Sequence, residues 1–240
     1  MPGLPRRALI TGASRGIGQA TALALAQAGY DVALVGRSLE RLEPILADVE
    51  GYGVMARAYA IDLVDLPPLA EHLAQAMADF GPFSVLINNA GMGYTGALAT
   101  MPLEHWQQVM DLNLTSVFQC IQAALPILRQ VGGGTIVNVA SVAARAAFAD
   151  WGAYTVSKAG LVALSRVLAV EERPYGVRVV TVSPGAVNTP IWDTETVQAD
   201  FDRSQMLTPD VVAQAILSTV LLPPQAVIED LTLMPAGGAL

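Results

Sequence analysis

The chain is poor in the residues on which metal, disulfide and polyanion chemistry depend. Cys120 is its one cysteine, and His72 and His105 are its only histidines in 240 residues. A single thiol forms no intrachain disulfide, zinc held by cysteines is excluded, and no metal site is expected. Charged residues make up only 14% of the chain against 53% hydrophobic, and the net charge is −8. An acidic chain has no field that draws a polyanion, so neither nucleic acid nor an anionic membrane surface is an expected partner. Any anionic ligand must be drawn by local positive groups. Two stretches lack charge over a membrane-like length, 112–128 and 211–228. The first carries Asn113, Thr115, Ser116, Gln119 and Gln122, and Pro223-Pro224 breaks the second, so both read as buried helices. Arg6-Arg7 is followed only by Ala8-Leu9-Ile10 before polar residues, too short for a signal-peptide core. A reducing, cytoplasmic setting is the expectation.

What is present is apolar material for a large core arranged in regular alternation. Short Val/Ile-rich segments at Ala8–Thr11, Asp31–Val35, Val54–Ile61, Phe83–Asn88, Thr135–Ala140, Val177–Val182 and Leu231–Met234 read as strands. Helical stretches separate them, including Pro102–Arg129, Trp151–Arg173 and Pro209–Leu222, with Asp65 as a cap candidate ahead of Pro67-Pro68. Near-continuous apolar strands alternating with helices predict an α/β fold, a parallel sheet covered on both faces. No linker, repeat or low-complexity segment interrupts residues 1–240, which read as one domain. In such sheets ligands bind beyond the carboxyl ends of the strands, where Thr11, Asn88, Ser141 and Ser183 fall.

The turn Thr11-Gly-Ala-Ser-Arg-Gly-Ile-Gly18 links the first strand to a helix. Its glycines Gly12, Gly16 and Gly18 permit strained dihedrals and let backbone approach a pyrophosphate at the helix N-terminus. By itself the spacing also fits an ordinary tight turn. Gly12-Ala-Ser14-Arg-Gly16 further matches the Gly-x-Ser-x-Gly elbow of serine hydrolases. That reading requires a histidine after a late strand, and neither His72 nor His105 lies there. Farther on, Tyr154 and Lys158 stand one helical turn apart, thirteen residues after the strand-end Ser141. A phenol beside an ammonium suits proton transfer to a carbonyl oxygen; singly, each residue also reads as an ordinary helix or turn position.

Together with Asp62 after the third strand, Asn88-Asn-Ala-Gly91, Asn113, Pro184-Gly185 and Thr189, these motifs make the chain resemble the short-chain dehydrogenase/reductase family over nearly its whole length. The resemblance implies a Rossmann-type doubly wound sheet of about seven strands in the order 3-2-1-4-5-6-7. It implies hydride transfer between a nicotinamide dinucleotide and a carbonyl or secondary alcohol of a small molecule. Tyr154 becomes the general acid/base, Ser141 the partner of the substrate oxygen, and Lys158 the ligand of the nicotinamide ribose. Asn113 becomes the holder of a water that links Lys158 to solvent. A free phenol titrates near ~10, and Lys158 with the oxidised nicotinamide is expected to bring Tyr154 toward working pH. The cofactor set implied is Gly12, Ser14, Arg15, Gly16, Ile17, Gly18, Arg37, Ser38, Asp62, Leu63, Asn89, Ala90, Gly91, Tyr154, Lys158, Pro184, Gly185, Val187 and Thr189. A dinucleotide-binding sensor or scaffold without turnover is the alternative on the same fold; it has no need of the proton relay.

The end of the second strand selects the dinucleotide, since an acid there binds the ribose hydroxyls and repels a 2′-phosphate. Here it reads Val35-Gly36-Arg37-Ser38, with Asp31 at the far end. Arg37, Ser38 and Arg15 suit a phosphate, so NADP(H) is expected over NAD(H). Val187–Met206 reads as a lid with Pro190, Ile191 and Trp192 as its apolar part. Its acids Asp193, Glu195, Asp200 and Asp202 make it self-repelling, with few anchors before cofactor binds. Tyr94, Phe148 and Trp151 are candidates for the substrate wall, and Arg145 for an anion partner. The ending Leu231-Thr-Leu-Met-Pro-Ala-Gly-Gly238 lacks the aspartate common in 3-oxoacyl carrier-protein reductases. It looks more like enzymes of small 3-oxo or 3-hydroxy compounds. Apolar residues such as Val117, Ile121, Leu161 and Leu168 are expected to face outward, and the family arrangement implies a homodimer or homotetramer through those two helices.

Overall fold

A computed structural model describes residues 3–199 and 201–238. Seven parallel strands form the sheet: β1 (Arg7–Thr11), β2 (Asp31–Gly36), β3 (Ala56–Ala60), β4 (Val85–Asn88), β5 (Gly134–Val139), β6 (Val177–Pro184) and β7 (Asp230–Leu233). Their order is β3-β2-β1-β4-β5-β6-β7, as the resemblance implies. The order reverses between β1 and β4, where Ala8, Leu9 and Ile10 pair with Val85, Leu86 and Ile87. At that crevice the connections leave on opposite faces and the strand ends lie open. β4 and β5 are buried along their whole length, which explains their Val- and Ile-rich centres, whereas the edge strand β7 alternates exposed with half-buried positions.

Helices α1 (Gly16–Gln27), α2 (Leu39–Glu50) and α7 (Pro209–Val220) cover one face; α3 (Leu66–Phe80), α5 (Ser116–Gln130) and α6 (Gly152–Glu172) cover the other. Alternate side chains of β1 feed the two cores, with Leu9 in one and Ala8 and Ile10 in the other. Each fully buried aliphatic side chain is worth roughly 1.5–3 kcal/mol of transfer free energy, so both layers contribute heavily to stability. Arg7 ties the base of the sheet together: its Nε donates to Asp31 at 3.2 Å and its guanidinium to the Phe80 carbonyl at 3.0 Å.

The long helix expected over Pro102–Arg129 is three pieces. α4 (Leu103–Met110) and α5 flank a π-helical turn at Asp111–Thr115, which takes Asn113 out of the regular α register. Asp65 precedes α3 but makes no side-chain cap bond, because the prolines that follow leave fewer amide donors in the first turn. Val117, Ile121, Leu161 and Leu168 do not face outward; all four lie in the core. The outward apolar residues of α5 and α6 are instead Phe118, Val156, Val167 and Val170. The stretch Gly152–Tyr175 is long and apolar enough to cross a membrane by length and composition alone. In this fold it packs on β6 and carries Ser157, Lys158 and Ser165 on its buried side.

Candidate active site

The carboxyl ends of β1, β2, β4, β5 and β6 open into one cleft of about 900 Å³. Of the residues singled out from sequence, Gly12, Ser14, Arg15, Gly16, Ile17, Arg37, Asp62, Leu63, Asn89, Ala90, Gly91, Ser141, Tyr154, Lys158, Pro184, Gly185, Val187 and Thr189 line it. Gly18, Ser38 and Asn113 do not. Gly18 lies beneath the turn, where a Cβ would stand 2.2 Å from the Gly12 carbonyl oxygen, so its glycine is a packing requirement. Ser38 takes the N-cap position of α2.

The first turn follows from its glycines. Gly12 and Gly16 have φ of +64° and +57°, the left-handed region, and a Cβ on Gly12 would meet the Ala90 Cα at 2.8 Å. α1 begins after an extended Arg15 with no side-chain cap and no acid in its first turn, leaving its amide end available to an anion. Thr11 and Asn89 lock this turn to the end of β4. Asn89 Nδ2 donates to the Thr11 and Gly12 carbonyls at 3.0 and 3.1 Å, and the Thr11 hydroxyl accepts from the Asn89 and Ala90 amides.

Three guanidinium groups gather at one end of the cleft. Burial lowers the Arg15 pKa, and Arg37 and Arg41 lower it further by repulsion, against a weaker opposing pull from Asp193. Arg41, in the first turn of α2, is absent from the sequence reading although it follows Arg37 and the Ser38 N-cap closely in the chain. A cationic cluster only weakly offset by Asp193, in a net-acidic chain, is the local positive site an anion needs. Asp62 lines the cleft and also closes its own turn, accepting from the Val64 amide at 3.1 Å.

At the centre, Ser141 ends the β5 segment. Its Oγ accepts from the Ala143 amide at 3.1 Å, which leaves its proton for the Tyr154 oxygen. Lys158 is the only lysine in the chain, a signal in plain view. It is buried with no carboxylate partner among the described residues, and its Nζ donates to the Val139 carbonyl at 2.8 Å. Loss of solvation therefore lowers its pKa to about 8. Nζ lies 5.8 Å from the Tyr154 ring. Gly91 makes room here, since a Cβ on it would lie 3.4 Å from Lys158 Nζ and 3.2 Å from Asn113 Oδ1.

One expectation changes. The Tyr154 pKa is raised in the protein by itself: burial outweighs the hydrogen bond from Ser141, so the phenol stays protonated. The positive oxidised nicotinamide, half of the expected stabilisation, belongs to the loaded site. The Asn113 side chain is engaged: Oδ1 accepts from the Met92 amide at 2.9 Å, and Nδ2 donates to the Met92 carbonyl and to Ser157 Oγ, each at 3.0 Å. Ser157 in turn donates to the Tyr154 carbonyl at 2.7 Å. The Asn113 side chain thus pins the loop after β4 to α6. Ser157, also missed from sequence, is the link.

Because Lys158 is the sole lysine, its titration is directly readable. Reductive methylation with carbon-13 formaldehyde is expected to give one side-chain methyl resonance titrating near 8; a midpoint at the ordinary value of 10.5 would contradict its desolvation. The same shift makes stability rise with pH between about 8 and 10.5, since only the unfolded chain holds this proton there.

The segment after β6 is anchored, contrary to expectation. Thr95 N donates to Thr196 O at 2.8 Å, Thr196 Oγ1 to Gly93 O at 2.8 Å, and Gln198 N to Thr95 Oγ1 at 2.7 Å. Arg203 neutralises Asp193 at 2.7 Å, and Ser204 donates to Asp202, so these acids are matched and not left to repel each other. Asp200 lies outside the described residues. Trp192 Nε1 donates to the Val187 carbonyl at 2.7 Å. Tyr94 does not line the cleft; its hydroxyl pairs with His105 Nδ1 at 2.7 Å. Arg145 donates to Thr232 at 2.8 Å and pairs with Asp230, so it ties α6's approach to β7.

Comparison with known proteins agrees with this geometry. The sequence profile of short chain dehydrogenases matches residues 6–200. The chain is 34% identical over 206 residues to a 3-oxoacyl-[acyl-carrier-protein] reductase of Staphylococcus aureus, covering 85% of this chain and 82% of that protein. Its fold superposes on an alcohol dehydrogenase of Thermococcus sibiricus complexed with 5-hydroxy-NADP, with TM-score 0.87, 32% identity and 96% of each chain covered. It also superposes on a carveol dehydrogenase of Mycobacterium avium in complex with NAD, with TM-score 0.86, 26% identity, 95% of this chain and 96% of that one. One fold thus carries either dinucleotide, and the choice rests on local residues. The chain belongs to the short-chain dehydrogenase family and is an oxidoreductase of alcohol and carbonyl groups.

Proposed function

We propose that the protein reduces the carbonyl of a small molecule, and oxidises the corresponding alcohol, with NADP(H) preferred over NAD(H). The observation that carries the reading is that Ser141, the Tyr154 hydroxyl hydrogen-bonded to it and the buried Lys158, whose Nζ is 5.8 Å from the Tyr154 ring, line one cleft with the arginine cluster. When bound, the dinucleotide supplies or accepts the hydride. The residues fit it: an open helix N-terminus for the pyrophosphate, and Arg15, Arg37 and Arg41 without an acid at the β2 end for a 2′-phosphate.

Ser141 fixes the carbonyl oxygen by hydrogen bonding, and Tyr154 gives that oxygen its proton as negative charge develops. Lys158 as ammonium holds the ribose hydroxyls and stabilises the phenolate left behind. Asn113 and Ser157 hold the backbone of α6 at Tyr154, which keeps the phenol in register with Ser141. A non-catalytic sensor has no use for this relay. Consumption of NADPH across neutral and anionic ketones tests the reading, and binding without consumption of any of them would contradict it.

Self-association belongs to the same proposal. Phe118, Val156, Val167 and Val170 expose apolar area on α5 and α6, and a second copy of this face covers it. Light scattering at micromolar concentration is expected to give a dimer or tetramer; a monomer would contradict it.

A further inference from the structure

The half of the cleft beyond Tyr154 differs sharply from the arginine end. Trp151 meets Tyr154 edge to face with ring centroids 5.3 Å apart, then Trp192 at 5.8 Å, and Trp192 meets Phe201 at 5.4 Å. A continuous aromatic wall therefore runs from the phenol outward, with Phe148 also lining it. Phe148 and Phe201 are each 37% exposed, so the wall offers ring faces and edges that the chain does not cover itself.

The acids lining the cleft in the segment that carries Trp192 are Asp193, which is engaged by Arg203 and also pulls on Arg15, and Glu195. The cations lining the cleft among the described residues are Arg15, Arg37, Arg41 and Lys158, all assigned above to the dinucleotide. Arg145 is occupied by Asp230 and Thr232. A carboxylate or a phosphorylated carrier arm brought here finds Glu195 and no free cation, whereas a neutral ring finds matching surface.

Resting on the reading of this cleft as a hydride-transfer site, we propose that its substrates are neutral ring-bearing ketones and secondary alcohols, alicyclic or aryl. Trp192 and Phe148 select them over anionic or carrier-bound 3-oxoacyl compounds. In the reduction the ring ketone carbon gains hydride from NADPH and its oxygen gains the Tyr154 proton. The C=O π bond is lost to new C–H and O–H bonds, and NADP⁺ is released.

The test is kcat/KM with NADPH for cyclohexanone, acetophenone, butanone, acetoacetate and an acetoacetyl thioester, in the wild type, Trp192→Leu and Phe148→Ala. The two ring ketones are expected to exceed acetoacetate and the thioester by at least about tenfold. Trp192→Leu is expected to lower the ratio of cyclohexanone to butanone by about tenfold. Phe148→Ala, which alters an exposed side chain and spares the core, should lower it in the same direction. Faster reduction of acetoacetate or the thioester, or ratios unchanged in both variants, would overturn the substrate class while leaving hydride transfer intact. No reduction of any compound by the wild type would overturn both.

Discussion

Tyr154→Phe is expected to lower reductive turnover by at least about a hundredfold while NADPH binds with near-normal affinity. The substitution deletes one oxygen from a ring otherwise held by Trp151 and by the Asn113–Ser157 clamp on its backbone, so the cleft keeps its shape. What is lost is the proton that must meet the developing alkoxide. Loss of turnover with retained binding separates a chemical role from a structural one. Ser141→Ala should reduce turnover in the same manner, because the hydroxyl both orients the substrate oxygen and lowers the cost of the phenolate. Near-normal rates for Tyr154→Phe on a verified substrate would reassign the acid.

The second large effect concerns cofactor choice. On the proposed NADP(H) preference, Arg37→Asp removes a charge-assisted phosphate partner and installs the acid that this strand end lacks. Such bonds are worth roughly 1.5–3 kcal/mol each, so NADPH affinity should fall by about ten- to a hundredfold before the added repulsion is counted. NADH affinity should change far less or improve, since the new carboxylate accepts from both ribose hydroxyls. Arg41→Ala is expected to act in the same direction with a smaller effect, because Arg41 sits on an exposed turn of α2. Titration of both dinucleotides against both variants reads the outcome. An unchanged preference in Arg37→Asp would move the phosphate site elsewhere.

The parts of this molecule that follow a simple period were legible in the sequence. Strands β4 and β5 are buried end to end and β1 beyond Arg7, and the Val, Leu and Ile at their centres give them away. The strand order came from the family resemblance, not from periodicity. The π turn at Asp111–Thr115 was invisible, because one extra residue in a turn leaves the apolar spacing of α4 and α5 nearly intact on either side. Its consequence, an Asn113 amide divided between Met92 and Ser157, joins residues far apart in sequence and has no local signature. Val117 and Ile121 were placed outward for a similar reason: a helix apolar on several faces does not say which one meets the sheet.

Arg41, and the fact that Lys158 is the sole lysine, are a different kind of omission, since both signals are present in the sequence. Arg41 comes four residues after Arg37, just inside α2, and a chain that uses arginine almost throughout has its single lysine four residues after Tyr154. The segment after β6 was misjudged from its acids. Net repulsion counted along the chain ignores partners: Arg203 reaches back to Asp193, and the Thr95–Thr196–Gln198 clasp crosses from the loop after β4. The Tyr154 acidity likewise depends on competition between burial and charge, which spacing alone does not set.

The central claim is that this cleft moves a hydride between NADPH and a carbonyl carbon while Tyr154 supplies the proton. It is tested most directly with NADPH carrying deuterium on the transferred position and cyclohexanone as acceptor, with mass spectrometry of the alcohol formed. The account predicts cyclohexanol with a single carbon-bound deuterium from the wild type and almost none from Tyr154→Phe at equal NADPH saturation. Product without deuterium, equal labelling by the two proteins, or a wild type that binds NADPH yet labels no ketone would contradict it.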